Sequence, residues 1–324
     1  MTTRSATGFV RFCSVAIASL SAAVVSGQTL SFSQVGSIPG QVDTIDVQGT
    51  HAYLAAGKTL TIFDVSNPAA PKRESAYTFP EEIWSFNVKG SLVYVGDNFF
   101  GLAVLDVSNP SAPVLRGSLK TPGQAKAAAI FGTKALVVDH MAGLVLVDIS
   151  NPAKPMSLGS FFVDGYARDV VTSGSLAYAV DSPTGFYVLD LAKPDPLEPV
   201  STLQSGTGLR TVEVSDASSG PGPNLAVLVG GGSIQVYDVS NPAKPIKAPP
   251  YRTPGGAQRV ALKGRVAYVA DGAAGLQVVD LMIPSKPTIV GSYGTPAPAR
   301  DVAVADSLVF VVTSSEVVIL RQTP

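Results

Sequence analysis

Six aspartates recur in nearly the same setting, and their surroundings look as if they could do chemistry. Asp64, Asp106, Asp148 and Asp238 open the segments DVSNPAAP (64–71), DVSNPSAP (106–113), DISNPAKP (148–155) and DVSNPAKP (238–245). Asp190 and Asp280 open the looser versions DLAKPDP and DLMIPSKP. An acid, a hydroxyl, an amide and two prolines could make a metal loop, a catalytic loop or a turn. A calcium loop needs several closely spaced oxygen ligands and usually a glycine at its sharp bend, whereas each copy here supplies one acid and a proline. A turn needs only an acceptor for the backbone N–H groups two or three residues on, and prolines that fix φ and block further pairing. The two looser copies keep the Asp and a Pro and lose the Ser and Asn, so the six aspartates read as structural turn residues.

A second set of residues shares one place in the same repeat: Asp43, Trp84, Lys126, Arg168, Arg210, Gln258 and Arg300. They read as the first residue of successive inner strands. The second strand of four units ends on Asp97, Asp139, Asp181 and Asp271. With hairpin turns at Gly132-Thr133 and Gly174-Ser175, antiparallel counting sets Lys126 opposite Asp139 and Arg168 opposite Asp181, as cross-strand charge pairs that neutralise themselves. The same count sets Arg210 near Val229 and Arg300 at Thr313, without an acid. Arg259 stands one place further along. Arg210, Arg259 and Arg300 therefore predict an under-neutralised basic sector, with Trp84 and Phe99-Phe100 on the same face and Lys126 and Arg168 at its rim. Such a sector suits an anionic or acidic polar group: a uronate, a carboxylate or a partner's acidic loop. The competing expectation is neutralisation by Asp301, Glu213 or water.

Catalysis has less to build on. Asp43, Asp169 and Asp301 lie at or beside inner-strand starts but in different units and two registers. His51 and His140 are the two histidines, far apart in repeat order, and the single cysteine is Cys13. Neither a His-rich metal site nor a cysteine nucleophile is predicted, and a serine nucleophile lacks a partnered histidine. No catalytic residue, metal or cofactor is assigned; the alternative is a hydrolase-like or lactonase-like enzyme using channel carboxylates.

The elements that must position these residues follow from the spacing. The six turn aspartates lie 42, 42, 42, 48 and 42 residues apart. A period of ~40–45 residues built from short β-runs is the signature of propeller blades. The unit 167–206 shows four strands: RDVVTS, LAYAVD, GFYVLDL and the run after Pro199. Third strands such as LVLVD (144–148) and LQVVD (276–280) are continuously apolar, as expected of a sheet covered on both faces. The chain's 25 prolines and 31 glycines fit turn-dense β structure. Six units are complete and the last, 299–321, has three strands. Residues 31–38, SFSQVGSI, resemble the outer strands VLRGSL (114–119) and TIVGSYG (288–294), so the N-terminal strand should complete the last blade and remove two open sheet edges. The prediction is an all-β, single-domain, seven-bladed propeller over 28–324, with four-stranded antiparallel blades and a Gly/Pro/Ser-rich insertion at 215–224 in blade 5.

Arg4 and Arg11 precede the apolar run VAIASLSAAVV (15–25), too short to span a bilayer, so residues 1–27 read as a secretory signal. The expected location is periplasmic, extracellular or at the cell surface. A formal charge of −1 with 15% charged residues gives no bias toward nucleic acid, and no later run reaches the ~18 apolar residues of a membrane helix. A monomer is expected, with an unknown protein or polar ligand as partner. The unit G-L-x-V-x-D-V-S-N-P-x-x-P also resembles the LVIVD repeat of exported bacterial and archaeal proteins, over essentially all of 31–324. The match is tightest at blades 2, 3 and 6 and looser at blade 4 and at blade 7, where Arg321 stands near the Asp place. The resemblance implies an exported propeller that serves as a binding or scaffold module, and it implies no reaction.

Overall fold

The computed structural model describes residues 29–323, apart from 164, 183–184, 194–196, 205–207, 216–221 and 223. The signal expected at 1–27 and most of the blade-5 insertion lie outside the described residues. The described residues form seven antiparallel sheets, each running from an inner strand outward, which is the predicted seven-bladed propeller. The inner strands are Thr44–Gln48, Ile83–Lys89, Ala125–Phe131, Tyr166–Ser173, Leu209–Val214, Arg259–Lys263 and Asp301–Ala305. In the last blade Ser31–Pro39 pairs with Glu316–Thr323, from Ser31 opposite Thr323 to Pro39 opposite Glu316, so the N-terminal strand closes the ring.

Why these runs become blades is visible in the burial. The second and third strands are rich in Val, Leu, Ile and aromatic residues and are buried almost throughout, because each sheet has a neighbour on both faces. The apolar side chains gather into seven clusters, one at each blade junction; the one between the last blade and the first joins Ile38, Val42 and Ile45 to Phe310, Val317 and Ile319. Blade 5 departs from four strands. Its outer position is split into Ile246–Lys247 and Tyr251–Ala257, both paired to the third strand. Pro249 and Pro250 lie between the two pieces and have no N–H to give to the ladder.

The recurring aspartate is a turn residue in every copy. Its Oδ1 accepts the backbone N–H two residues on, at 2.7–3.0 Å, from Ser66, Ser108, Ser150, Ala192, Ser240 and Met282. In the four full copies the asparagine repeats the move, Oδ1 accepting from Ala69, Ser111, Ala153 and Ala243, while its carbonyl accepts from the residue three on. Two overlapping side-chain turns thus fold the link between third and outer strands. The turn also touches the preceding blade: Ser75 Oγ donates to the Pro110 carbonyl and Ser201 Oγ to the Pro242 carbonyl. Gly117 holds the matching place in blade 2, where a Cβ would stand 2.6 Å from the Pro152 carbonyl oxygen.

Candidate functional site

The inner strands present their first residues to the central channel, and their register differs from the antiparallel count in one respect. Ala125 pairs with Asp139 and Ala127 with Val138, leaving Lys126 bulged between them. Trp84, Arg168 and Arg210 are bulged at the same place in blades 2, 4 and 5. A bulged residue is released from the alternation of the strand, and here its side chain goes to the channel rather than to a cross-strand partner. The predicted pairs Lys126–Asp139 and Arg168–Asp181 therefore do not form.

The freed carboxylates bond within their own blade, to the link that enters it or to the loop and third strand that follow them. Asp139 accepts from the Gly123, Met141 and Ala142 N–H groups at 2.7, 3.1 and 2.9 Å. Asp181 accepts from Gly185 N–H and from the Tyr187 hydroxyl, and Asp271 from the Gly255 N–H at 2.8 Å and the Thr253 hydroxyl. Gly123 and Gly165 stand three residues before the bulges of blades 3 and 4, and Gly255 holds the same place in blade 6, whose inner strand has no bulge; without a side chain there, backbone and carboxylate approach, and a Cβ on Gly165 would lie 2.6 Å from Asp181 Oδ2. Blade 2 has Glu81 there. Asp97 is buried with no hydrogen-bond partner for either oxygen among the described residues, and burial pushes its pKa up to about 6, with the Glu81 N–H opposing.

The six residues expected to bind a ligand come together. Trp84, Lys126, Arg168, Arg210, Arg259 and Arg300 all line one open basin at the channel mouth, about 590 Å³ in volume. Lys126 Nζ lies 3.1 Å from the centroid of the Trp84 ring, a cation–π contact. Its pKa falls to about 8, chiefly through burial and then through Arg168, with Glu82 opposing. Among the described residues the basin's one ion pair is Arg259 Nε to Asp301 Oδ1 at 3.9 Å, and Lys126, Arg168, Arg210 and Arg300 have none.

Below the mouth the charge reverses, with Asp169, Glu213 and Asp301 around Arg259 and Asp46 close to Glu213 and Asp301. Three of these acids bind the exposed inner edge of the next blade: Asp46 accepts from Val88 N–H, Asp169 from Val212 N–H, and Asp301 from the Thr44 hydroxyl at 2.7 Å and the Ile45 N–H. Glu213 has no such donor; burial, then the charge of Asp169, pushes its pKa up to about 8. Asp169 rises to about 6 for the same first reason. Neutralisation of the arginines by Asp301 and Glu213 is thus confined to Arg259. Asp43, the remaining channel acid named from the sequence, accepts from the Gly57 N–H at 2.9 Å. His51 pairs with Glu74 at 3.3 Å, and His140 stacks on Tyr166 with ring centroids 4.6 Å apart.

Sequence reasoning located the basic sector and missed its extent, because counting along a hairpin assumes no bulge. A glycine three residues ahead accompanies the bulges at Lys126 and Arg168 but not those at Trp84 and Arg210, which Glu81 and Thr207 precede at the same distance.

The family model of the LVIVD repeat matches residues 39–78, 82–121, 122–163, 164–199 and 254–295. No curated protein matches the chain. Among solved structures, the β-propeller domain of Myceliophteria thermophila Cps50 (Swd1) superposes with a TM-score of 0.72 at 12% identity, over 90% of this chain and 99% of that one. The Neurospora crassa Pan2 WD40 domain gives 0.66 at 14% identity, over 90% and 95%, and the computationally designed Ika8 protein 0.61 at 9%, over 89% and 98%. At these identities the likeness is one of fold.

Proposed function

Because the chain belongs to the LVIVD repeat family, whose repeats build its ring, we propose that it is a non-catalytic binding module that holds an anionic group at the channel mouth. The observation that carries this reading is the arc Lys126, Arg168, Arg210, Arg259 and Arg300, contributed by five consecutive blades, of which four cations lack a carboxylate partner among the described residues. Like charges held this close repel one another. An anion with two or more negative groups spread around the axis relieves that repulsion and gains charge-assisted hydrogen bonds from the guanidinium forks. A volume of about 590 Å³ admits a small ligand or the tip of a larger one. The acids below do not converge on an open point, since three of them already accept backbone N–H groups, which weighs against a hydrolase using them. The apolar run at 15–25 after Arg4 and Arg11 supports action outside the cytoplasm, as a monomer that meets its ligand there.

The test is calorimetric titration with citrate at two salt concentrations. Binding should weaken as salt rises, and Arg210→Ala with Arg300→Ala should reduce affinity by about 3 kcal/mol, at least 1.5 for each lost charged hydrogen bond. Unchanged citrate affinity in the double variant would sink the proposal.

A further inference from the structure

The basin occupies part of the face on which it opens, and the remainder of that face is not polar. Trp84, Phe99, Met141, Phe162 and Tyr166 stand out there at 45 to 69% exposure. All belong to blades 2 to 4, in blade-to-blade links, at inner-strand starts or in links between second and third strands, so the topology sets them at the same end of the ring as the basin. Contacts join them into one surface. The 3-10 turn bearing Phe99 packs against the inner strand that carries Lys126, and Lys126 sits on Trp84. Tyr166 stacks on His140, the neighbour of Met141, and the Phe162 backbone lies against Gly143 at the end of the same loop. The other exposed large apolar side chains among the described residues stand on outer strands and on the turns at the opposite end.

The face is therefore divided into an apolar rim over blades 2 to 4 and a cationic arc that continues through blade 7. Its make-up is that of a protein contact: Trp, Tyr, Phe, Met and Arg are the residues enriched in interfaces. A small anion would leave the rim unused. A pyranose would want flat ring faces flanked by hydrogen-bonding groups, yet Trp84 and Tyr166 each have one face covered, and Phe99, Met141 and Phe162 bring no polar atom. Resting on the anion site proposed above, we infer that this face docks a linear segment of a partner protein in which apolar side chains are followed by several carboxylates, the apolar ones seated on the rim of blades 2 to 4 and the acids in the arginine arc. The order of the blades keeps the apolar and acidic blocks of the segment apart, since the two halves of the face do not overlap beyond Lys126 and Arg168.

Fluorescence anisotropy on the full chain tests this with four probes: labelled peptides in which Phe, Leu or Trp positions precede four glutamates, the same peptides with those positions changed to serine, labelled oligogalacturonate, and citrate as competitor. The apolar–acidic peptides should bind at least about ten-fold more tightly than the serine versions. Phe162→Ser with Met141→Ser, both at exposed positions, should abolish that advantage and leave displacement by citrate unchanged. Equal binding of both peptide sets, no peptide binding, or tighter binding of oligogalacturonate overturns the inference while the calorimetric citrate response shows the anion site intact. Loss of the citrate response as well would place the fault in the anion site itself.

Discussion

At the scale of single residues the channel is organised by what each side chain finds to bond. Arg210 and Arg300 stand free because their bulged or leading positions aim them at water, and Asp46, Asp169 and Asp301 are spent on the N–H groups of the next blade. Glu213 has neither fate. Its ordinary pKa of 4.5 rises to about 8 in the folded chain through burial and the neighbouring acids. Between these values the folded chain keeps a proton that the unfolded chain has released, so stability present below pH 4.5 is lost as pH rises toward 8. Asp169 and Asp97, each raised to about 6, contribute with the same sign at lower pH, and Lys126, lowered to about 8, begins to oppose as pH nears 8, so the difference between parent and Glu213→Gln from about pH 6.5 to 8 isolates Glu213. Glu213→Gln should flatten stability across that window and leave the variant more stable at pH 8 by on the order of 2 kcal/mol, less than the full ~1.4 kcal/mol per pKa unit because the channel is wet. Urea denaturation at pH 5, 6.5 and 8 reads this directly, and an unchanged slope in the variant refutes it. The sequence offers Glu213 as a neutraliser of the arginines, but nothing around TVEVSD marks it as a group that holds its proton. Its alternation looks like that of any half-buried strand, and only the ring brings it beside Asp169 and Asp301 from other blades.

At the scale of the element, repetition was the most legible signal. The 42-residue period announced the blade, because each four-stranded unit must bury both faces against its neighbours, and the recurring Asp and Pro announced the turn, because local hydrogen bonding dictates it. The bulge at Lys126 and Arg168 was not legible in the same way, since a bulge depends on what the neighbouring link does, and the clue lay in Gly123 and Gly165 rather than in the strand. The small residues of the outer strands carry the same kind of information. Gly117 faces the Pro152 and Ala153 carbonyls of the next blade, with an added Cβ at 2.6 and 2.7 Å from their oxygens. Both are backbone atoms held by the turn, so they cannot rotate away. Gly117→Val should cost about 2–3 kcal/mol through overpacking, while Ser118→Val on the exposed side of the same strand stays within about 0.5. Thermal melts of the pair separate a packing effect from loss of strand propensity, since valine favours strands at both positions; equal melting temperatures would show that the turn yields.

At the scale of the whole molecule, one strand pairing converts a row of blades into a ring. Ser31–Pro39 joins the two ends of the chain's β structure, and its side chains enter both flanking cores: Ile38 packs with Phe310 and Ile319, and Phe32 against the cluster that holds Leu276 and Leu320. Without it Glu316–Thr323 becomes an open, largely apolar edge strand, the template on which chains pair with one another. Deletion of residues 29–40 should therefore yield protein that aggregates on refolding. The geometry offers a repair that keeps the pairing of the closing strand. Ser31 lies opposite Thr323 in an antiparallel pair, so a chain that starts at residue 41 and carries residues 31–40 after Thr323 can reach the native register through a short hairpin turn. That permutant should melt within a few degrees of the parent. It should also refold faster, because the contact of longest sequence separation in the parent, near 292 residues at Thr323 and Ser31, becomes local. Stopped-flow refolding of parent and permutant reads the difference. If both refold at the same rate while the deletion aggregates, the strand closes the ring after the rate-limiting step; if the permutant aggregates as well, pairing alone does not close the ring.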